Sequence, residues 1–253
     1  MAAFNPIPDE TTNAALKPTA KALGDASGSL FTAGFHLIFD PLRKFNIRKD
    51  QELTDYANKI QNHITDIPEE YRDASKLSLV LKAVDDSKYR LDDATMREAF
   101  ARLIANALDK RQNEDFYPAY SDILSNMSSN EALLLQHIRQ NFGSNILTLK
   151  KKFMYENSSF FIERKTIFIF DFGYDPSPKI NLTIDLLHKS ELITIDSDFH
   201  LTDEHYEKQY SDTENELRNK LNTPQIPEGT KLSFQEGRIR LSAFGESFTK
   251  FIV

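Results

Sequence analysis

The chain has 253 residues, 27% of them charged and 40% hydrophobic, with aromatic content from Phe and Tyr and no Trp. That length suffices to bury a core as one large domain or two small ones, and the composition is that of an ordinary soluble protein. The absence of cysteine excludes disulfides, thiol nucleophiles and thiolate metal sites, and fits a reducing cytoplasm; the net charge of −7 argues against broad non-specific nucleic-acid binding but leaves room for a local basic patch.

The N-terminus, MAAFNPIPDETT, lacks the basic start and long apolar run of a secretory signal, and residues 1–13 read as a poorly ordered arm. From Ala14 onward Ala20, Gly24, Gly28 and Ala33 recur among apolar positions, a spacing that lets backbones approach closely. Residues 26–39 (ASGSLFTAGFHLIF) carry no acidic or clearly cationic side chain, and Arg43, Lys44, Arg48 and Lys49 follow at once. An apolar stretch ending in a basic cluster suits a membrane interface beside anionic headgroups. It is too short and too glycine-broken for a transmembrane helix, which needs about 20 apolar residues. The alternative is a helix buried in the fold or in a homo-oligomer. Phe31, Phe35, Leu37, Ile38 and Phe39, with Arg43 and Lys44, are the candidate membrane or partner surface.

Residues 50–66 predict a helix, with Leu53, Tyr56, Ala57, Ile60 and Ile64 on one stripe and Pro68 as its stop. A second helix is expected from about Ala74, with Leu77, Val80, Leu81 and Val84 facing inward. The stretch Leu91 to Ile138 then reads as a helical hub. Asp92 or Asp93 caps its first helix; Met96, Phe100, Leu103, Ala107 and Leu108 share a face, and Arg97, Arg102 and Asp109 lie opposite, in water. Past Pro118, a first-turn residue, Tyr120, Ile123, Leu124 and Met127 repeat the pattern. Ser128 and Glu131 stand in the S-x-x-E spacing of a capping box before Leu134, Leu135 and Ile138. Gly143 closes the last helix as a C-cap.

After Gly143 the character changes. Residues 145–157 (NILTLKKKFMYEN) are expected to form a helix and 166–172 (TIFIFDF) a strand. A turn at 175–178 leads to a helix over 180–192, with Leu182, Leu186 and Leu187 inward, and a strand at 193–195. Residues 203–228 read as a charged surface insertion with a short helix near 214–222. Residues 231–234 and 238–241 are expected to pair as a hairpin across 235–237, and 243–252 closes as a helix. Helices, a helix running into a strand, a hairpin and a closing helix resemble a winged-helix module, with Ser190-Glu191 in LLHKSELITI where such modules carry glycine. The fold class expected is mainly α: an arm (1–13), a multi-helix domain (14–142) and a small α+β winged-helix-like half (143–253) with its insertion at about 203–228.

The ordered stretch MREAFARLIANALD…FYPAYSDILSNMSSNEALLL resembles the Abi-alpha family, named for abortive phage infection. KPTAKALGDASGSLF…FDPLRKF with the helix ending at Ile67-Pro68, and GRIRLSAFGESFTKFIV, similar to a strand, L-[ST]-x-[FW]-G-x-x-F and helix ending, extend the likeness over most of the chain. The resemblance implies a role in antiviral defence without a settled mechanism.

Candidate chemistry is sparse. If the C-terminal half read DNA, the 180–192 helix would enter the major groove with His188 and Lys189, and Lys150, Lys151, Lys152, Arg164 and Lys165 would contact phosphate. Asp185 opposes that, and a lysine run is ordinarily a solvated face. His200 and His205 flank Thr202-Asp203-Glu204, a weak metal pattern, and Asp171 and Asp175 bracket a strand end. His63 and His137 fall in helices, and Gly245 stands at a helix start without a phosphate-loop pattern. No G-x-S-x-G, H-E-x-x-H or Walker loop occurs. The expectation is therefore a non-enzymatic defence protein of the cytoplasm or its membrane face, without a cofactor or metal. It would act through a protein partner, a homo-oligomer or the membrane surface; the alternative is a nucleic-acid-binding regulator.

Overall fold

A computed structural model describes residues 50–140, 146–157, 159–170, 173–175, 178–220 and 227–253. The chain divides into two compact units, Met1–Ala132 with Lys250–Val253, and Leu133–Thr249. The arm, the small-residue stretch and Gly143 lie outside the described residues.

In the first unit two helices begin where side chains supply acceptors for otherwise unpaired amides. Helix α1 (Asp50–Thr65) precedes Pro68, and α2 (Leu77–Ser87) follows a short 3-10 turn. Helix α3 (Ala94–Ala107) is capped by Asp93, whose Oδ1 accepts from the amides of Thr95 at 2.9 Å and Met96 at 3.1 Å. After α4 (Ala119–Asn126), helix α5 (Ser129–Gln140) starts on the capping box. There the Ser128 amide donates to Glu131 at 2.8 Å and the Glu131 amide to Ser128 Oγ at 3.4 Å.

Helix α3 is wrapped more fully than its stripe implied. Ala99, Ala101, Ile104 and Ala105 are buried as well as Met96, Phe100, Leu103 and Ala107, and α1, α2 and α4 all pack on it. Small residues on the second face let those neighbours close in. The three residues expected in water are consequently engaged. Arg97 donates to Asp55 at 2.8 Å, and Asp109 is 1% exposed, accepting two bonds from Arg111 Nε and one from its amide. Asp109 is drawn in because its backbone bridges to Arg72. Glu98 gathers Lys59 (3.1 Å), Arg102 (2.8 Å) and His63 (2.9 Å). Burial raises its pKa, but those bonds outweigh burial and hold it at about 2. Phe251, near the chain's end, sits edge-on to Phe116 and tilted against Tyr120, and its carbonyl accepts from Asn106 at 3.1 Å.

The second unit is built on a five-stranded antiparallel sheet in the order β3-β2-β1-β5-β4. Its elements are β1 (Ile146–Tyr155), β2 (Phe160–Phe170), β3 (Gly173–Asp175), α6 (Pro178–Lys189), β4 (Ile193–Asp196), α7 (Glu204–Lys220), β5 (Thr230–Leu241) and α8 (Ala243–Ile252). Three expectations are corrected. The 145–157 segment is a strand, not a helix; Ile146 to Leu149 are buried consecutively, and a short run buried on both faces looks alike in either structure. Residues 230–241 form one continuous strand, not a hairpin. Gly237 marks a close approach rather than a turn, since a Cβ there would lie 2.5 Å from the Asp196 carbonyl and 2.6 Å from Thr148 Oγ1. The supposed insertion contains the 17-residue helix α7, whose Tyr210 and Leu217 pack on Leu147, Leu149, Ile167 and Ile169. Of the pattern that suggested a winged helix, the 145–157 helix and the hairpin are thus strands of one sheet. The passage from α6 into β4 remains.

The joint between α6, β4, β5 and α8 is tight. Glu191 ends α6 with φ +58°, the left-handed conformation that glycine adopts without cost, at the position where the winged-helix likeness called for glycine. Its carbonyl accepts from Ser242 Oγ, while the Leu192 carbonyl accepts from the Ser242 amide at 3.0 Å. Ser242 Oγ in turn caps α8, accepting from Gly245 N at 2.9 Å. A Cβ on Gly245 would fall 1.9 Å from the Leu192 carbonyl oxygen, inside any permissible contact. We predict that Gly245→Ala destabilises the protein by at least about 2 kcal/mol through overpacking, and that Glu191→Gly stabilises it by about 1 kcal/mol through relief of the left-handed strain. Urea unfolding followed by circular dichroism checks both, and a Gly245→Ala variant as stable as wild type would refute the packing argument.

Candidate functional site

Because side chains alternate along a strand, the lysine run at the centre of β1 is split between the two faces of the sheet. Lys151 lies on the face of Leu147, Leu149 and Phe153, the side covered by α7. Lys150 and Lys152 lie on the other. Lys150 Nζ donates to Ser197 Oγ at 2.6 Å, and Lys152 Nζ stands 3.8 Å over the centre of the Phe160 ring. The β1–β2 register shifts here: Lys150 pairs with Thr166 and Lys152 with Ile162, so Lys151 alone faces residues 163–165. Arg164 and Lys165 stand in that bulge, their side chains outside the described residues. His188 and Lys189 sit elsewhere, exposed at the end of α6, with His188 Nδ1 3.2 Å from the Ile193 carbonyl.

Beyond the bulge the β1–β2 hairpin, edged by the start of β5, carries an exposed aromatic cluster that the expected element bounds do not contain. Tyr155 is 41% exposed, Phe160 51%, Phe161 39% and Ile162 36%. Phe160, Phe161 and Ile162 lie ahead of Thr166, where the sequence pattern places the start of the strand. The aromatic and β-branched run FFI, set apart from TIFIF by Glu163, Arg164 and Lys165, is the signal that extends the strand back to Phe160. Phe161 stacks on Phe153 at 4.9 Å and tilts against Tyr155 at 6.1 Å. Residues 146–170 and 230–235 together carry six cations and two acids, so this ribbon is basic within an acidic chain.

A second cluster forms where β5 meets α7. His200 Nδ1 is hydrogen-bonded to Glu236, its Nε2 lies 3.6 Å from Glu207, and its ring stacks on Tyr210 at 5.8 Å. Tyr210 donates its hydroxyl to the Gly237 carbonyl at 2.6 Å, and burial, reinforced by Glu236, raises its pKa. The hydrogen bond to Glu236 raises the His200 pKa against the opposing effect of burial. His205 is not drawn in; it lies on exposed α7 beside Gln209. Among the described residues no group of three or more His, Cys, Asp or Glu side chains is placed to hold a metal. His63 belongs to the Glu98 cluster, and His137 has its ring 6.4 Å from Phe170. Asp171, the side chain of Asp175, and the candidate surface of Phe31, Phe35, Leu37, Ile38, Phe39, Arg43 and Lys44 lie outside the described residues. No described helix is long and apolar enough to cross a membrane.

Because the folded state favours protonated His200, its pairing contributes fully below the ordinary histidine pKa of about 6.5 and is lost as pH rises through the raised value. The predicted outcome is an NMR titration midpoint for His200 above the ordinary value that falls back in Glu236→Gln. An unchanged midpoint in that variant would show that the contact with Glu236 does not govern the histidine.

Neither a curated protein nor a solved structure matches the chain. A family model described as abortive infection alpha matches residues 48–252, taking in the α3 hub, the sheet and the Gly245 segment. The chain belongs to the abortive infection alpha family, which places it broadly with proteins of antiphage defence.

Proposed function

We propose that this protein carries out abortive-infection defence by contact rather than by catalysis, delivering its output to a protein partner or at a membrane interface. The observation that carries this reading is the family match across both units. The apolar residues Phe31, Phe35, Leu37, Ile38 and Phe39, followed by Arg43 and Lys44, are the proposed effector surface. A partner protein or a second copy, met in the cytoplasm or at its membrane face, is the proposed target, and no cofactor is required. A winged-helix DNA reader is the weaker reading, because α6 presents exposed Asp185 and Leu182 beside Lys189.

The test is phage challenge of bacteria expressing the full chain, with flotation of the purified protein on anionic and neutral liposomes. The expected result is protection of the culture accompanied by death of infected cells, lost in Phe35→Ser/Phe39→Ser. Flotation lost in the same variant assigns the output to the membrane, and protection lost without any flotation assigns it to a protein partner. Absence of an effect on every phage of the host would sink the defence reading, and full protection by the double variant would sink the effector surface.

A further inference from the structure

We infer that the ribbon formed by the distal halves of β1 and β2 and the start of β5 binds single-stranded nucleic acid, with phosphates on Lys152 and Lys231 and a base stacked on Phe160. This goes beyond the contact reading above and does not depend on it.

Register places the residues. Met154 pairs with Phe160 on one side and Lys231 on the other, and Lys152 pairs with Ile162 and Ser233. Directly paired residues share a face, as do residues two apart on one strand, so Phe160, Met154 and Lys231 form one row and Ile162, Lys152 and Ser233 the next. Neighbouring strands lie about 4.8 Å apart, so an aromatic ring, a thioether and an ammonium group succeed one another across about 10 Å. Phe160 and Lys231 are exposed, and the Lys152 ammonium already lies against the Phe160 ring. Lysines that neutralise phosphates beside a ring that takes a base are the two components of sequence-tolerant single-strand binding. The charge is segregated to match: six cations and two acids on the ribbon strands, in a chain of net charge −7. That segregation makes the ribbon the place where a polyanion meets an otherwise repelling protein.

Two other occupants fit less well. Strand addition by a peptide or a second copy needs a regular edge, and β2 is bulged at residues 163–165. Insertion into a bilayer would lead with the turn, and Glu156, Asn157 and Ser159 there are polar, with Asn157 Oδ1 accepting the Ser159 amide at 3.0 Å. The exposed apolar residues lie behind that turn, on both faces of the ribbon. A duplex hides the base faces that Phe160 would take.

The experiment is fluorescence anisotropy of the purified full chain with a labelled oligothymidylate of about 16 nucleotides, an upper site size for a single small domain. Unlabelled duplex and phosphatidylglycerol vesicles serve as competitors, and circular dichroism verifies the fold of each variant. The expected result is salt-sensitive binding that Phe160→Ala weakens by about fivefold or more, the range for loss of one stacked base. Lys152→Glu and Lys231→Glu should each weaken it and flatten the salt slope by about 0.7 per cation removed. His188→Ala and Lys189→Ala should leave it unchanged. The inference is overturned by absence of binding at low salt, by binding that Phe160→Ala leaves intact, or by duplex competing as well as single strand. Binding to vesicles alone, lost in the same variants, would overturn it in favour of a membrane surface.

Discussion

The carbonyl of Leu192 is the point on which the sheet unit turns. It accepts the Ser242 amide and lies against Gly245, so the end of α6 and the start of α8 are held at backbone contact. No side chain larger than hydrogen fits at 245. With Ser242 bonded to residues 191 and 192, Ile193 is brought opposite Leu241 and β4 is registered on β5. Registering β5 registers β1, since the two pair along ten residues from Ile146↔Ile239 to Tyr155↔Thr230. The left-handed backbone at Glu191 is the local cost of this arrangement, maintained because the surrounding bonds over-determine it.

From that register follows an unequal division of the sheet. The proximal half of β1 is buried, with Leu147 and Leu149 under the Tyr210 and Leu217 face of α7. The distal half runs on into a ribbon whose aromatic residues are open to solvent. Charge divides the same way. Acids gather on α7 and at the His200 cluster, where Glu236 and Glu207 bind the imidazole and Glu214 has its pKa raised by burial. Cations gather on the ribbon. A chain that is acidic as a whole thereby presents a basic, aromatic surface among its described residues, and the place proposed for a polyanion is set by position rather than by net charge.

The helical unit shows a different economy. Its α3 helix is buried on more than one face, and the polar groups around it are paired rather than excluded: Glu98 by Lys59, Arg102 and His63, Asp109 by Arg111, and Asp93 by two helix amides. Such pairing keeps charged groups tolerable near a core, since a carboxylate that loses its donors would carry its desolvation unpaid. The family match spans this unit and the sheet together.

The sequence by itself determined what depends on near neighbours. The Asp93 cap, the Ser128–Glu131 box, the stripes of α1 to α4, the β4 strand and the α8 helix all arise from interactions within about one helical turn or one strand, and all were legible. Even the winged-helix likeness pointed to a real feature, the left-handed residue at 191, although glutamate stands there. Only the tertiary structure decided the rest. Residues 146–155 are a strand because β5, some 80 positions away in the chain, and β2 hydrogen-bond both of their edges. Gly237 is a point of close approach because Asp196 and Thr148 converge on it. Tyr206, Tyr210, Thr213 and Leu217 do recur at helical spacing, but among so many charges that only the apolar surface of the sheet reveals that face as buried. The ribbon was hidden for the same reason. Whether Lys152 and Phe160 share a face depends on the register of two strands, and register is a property of the pair.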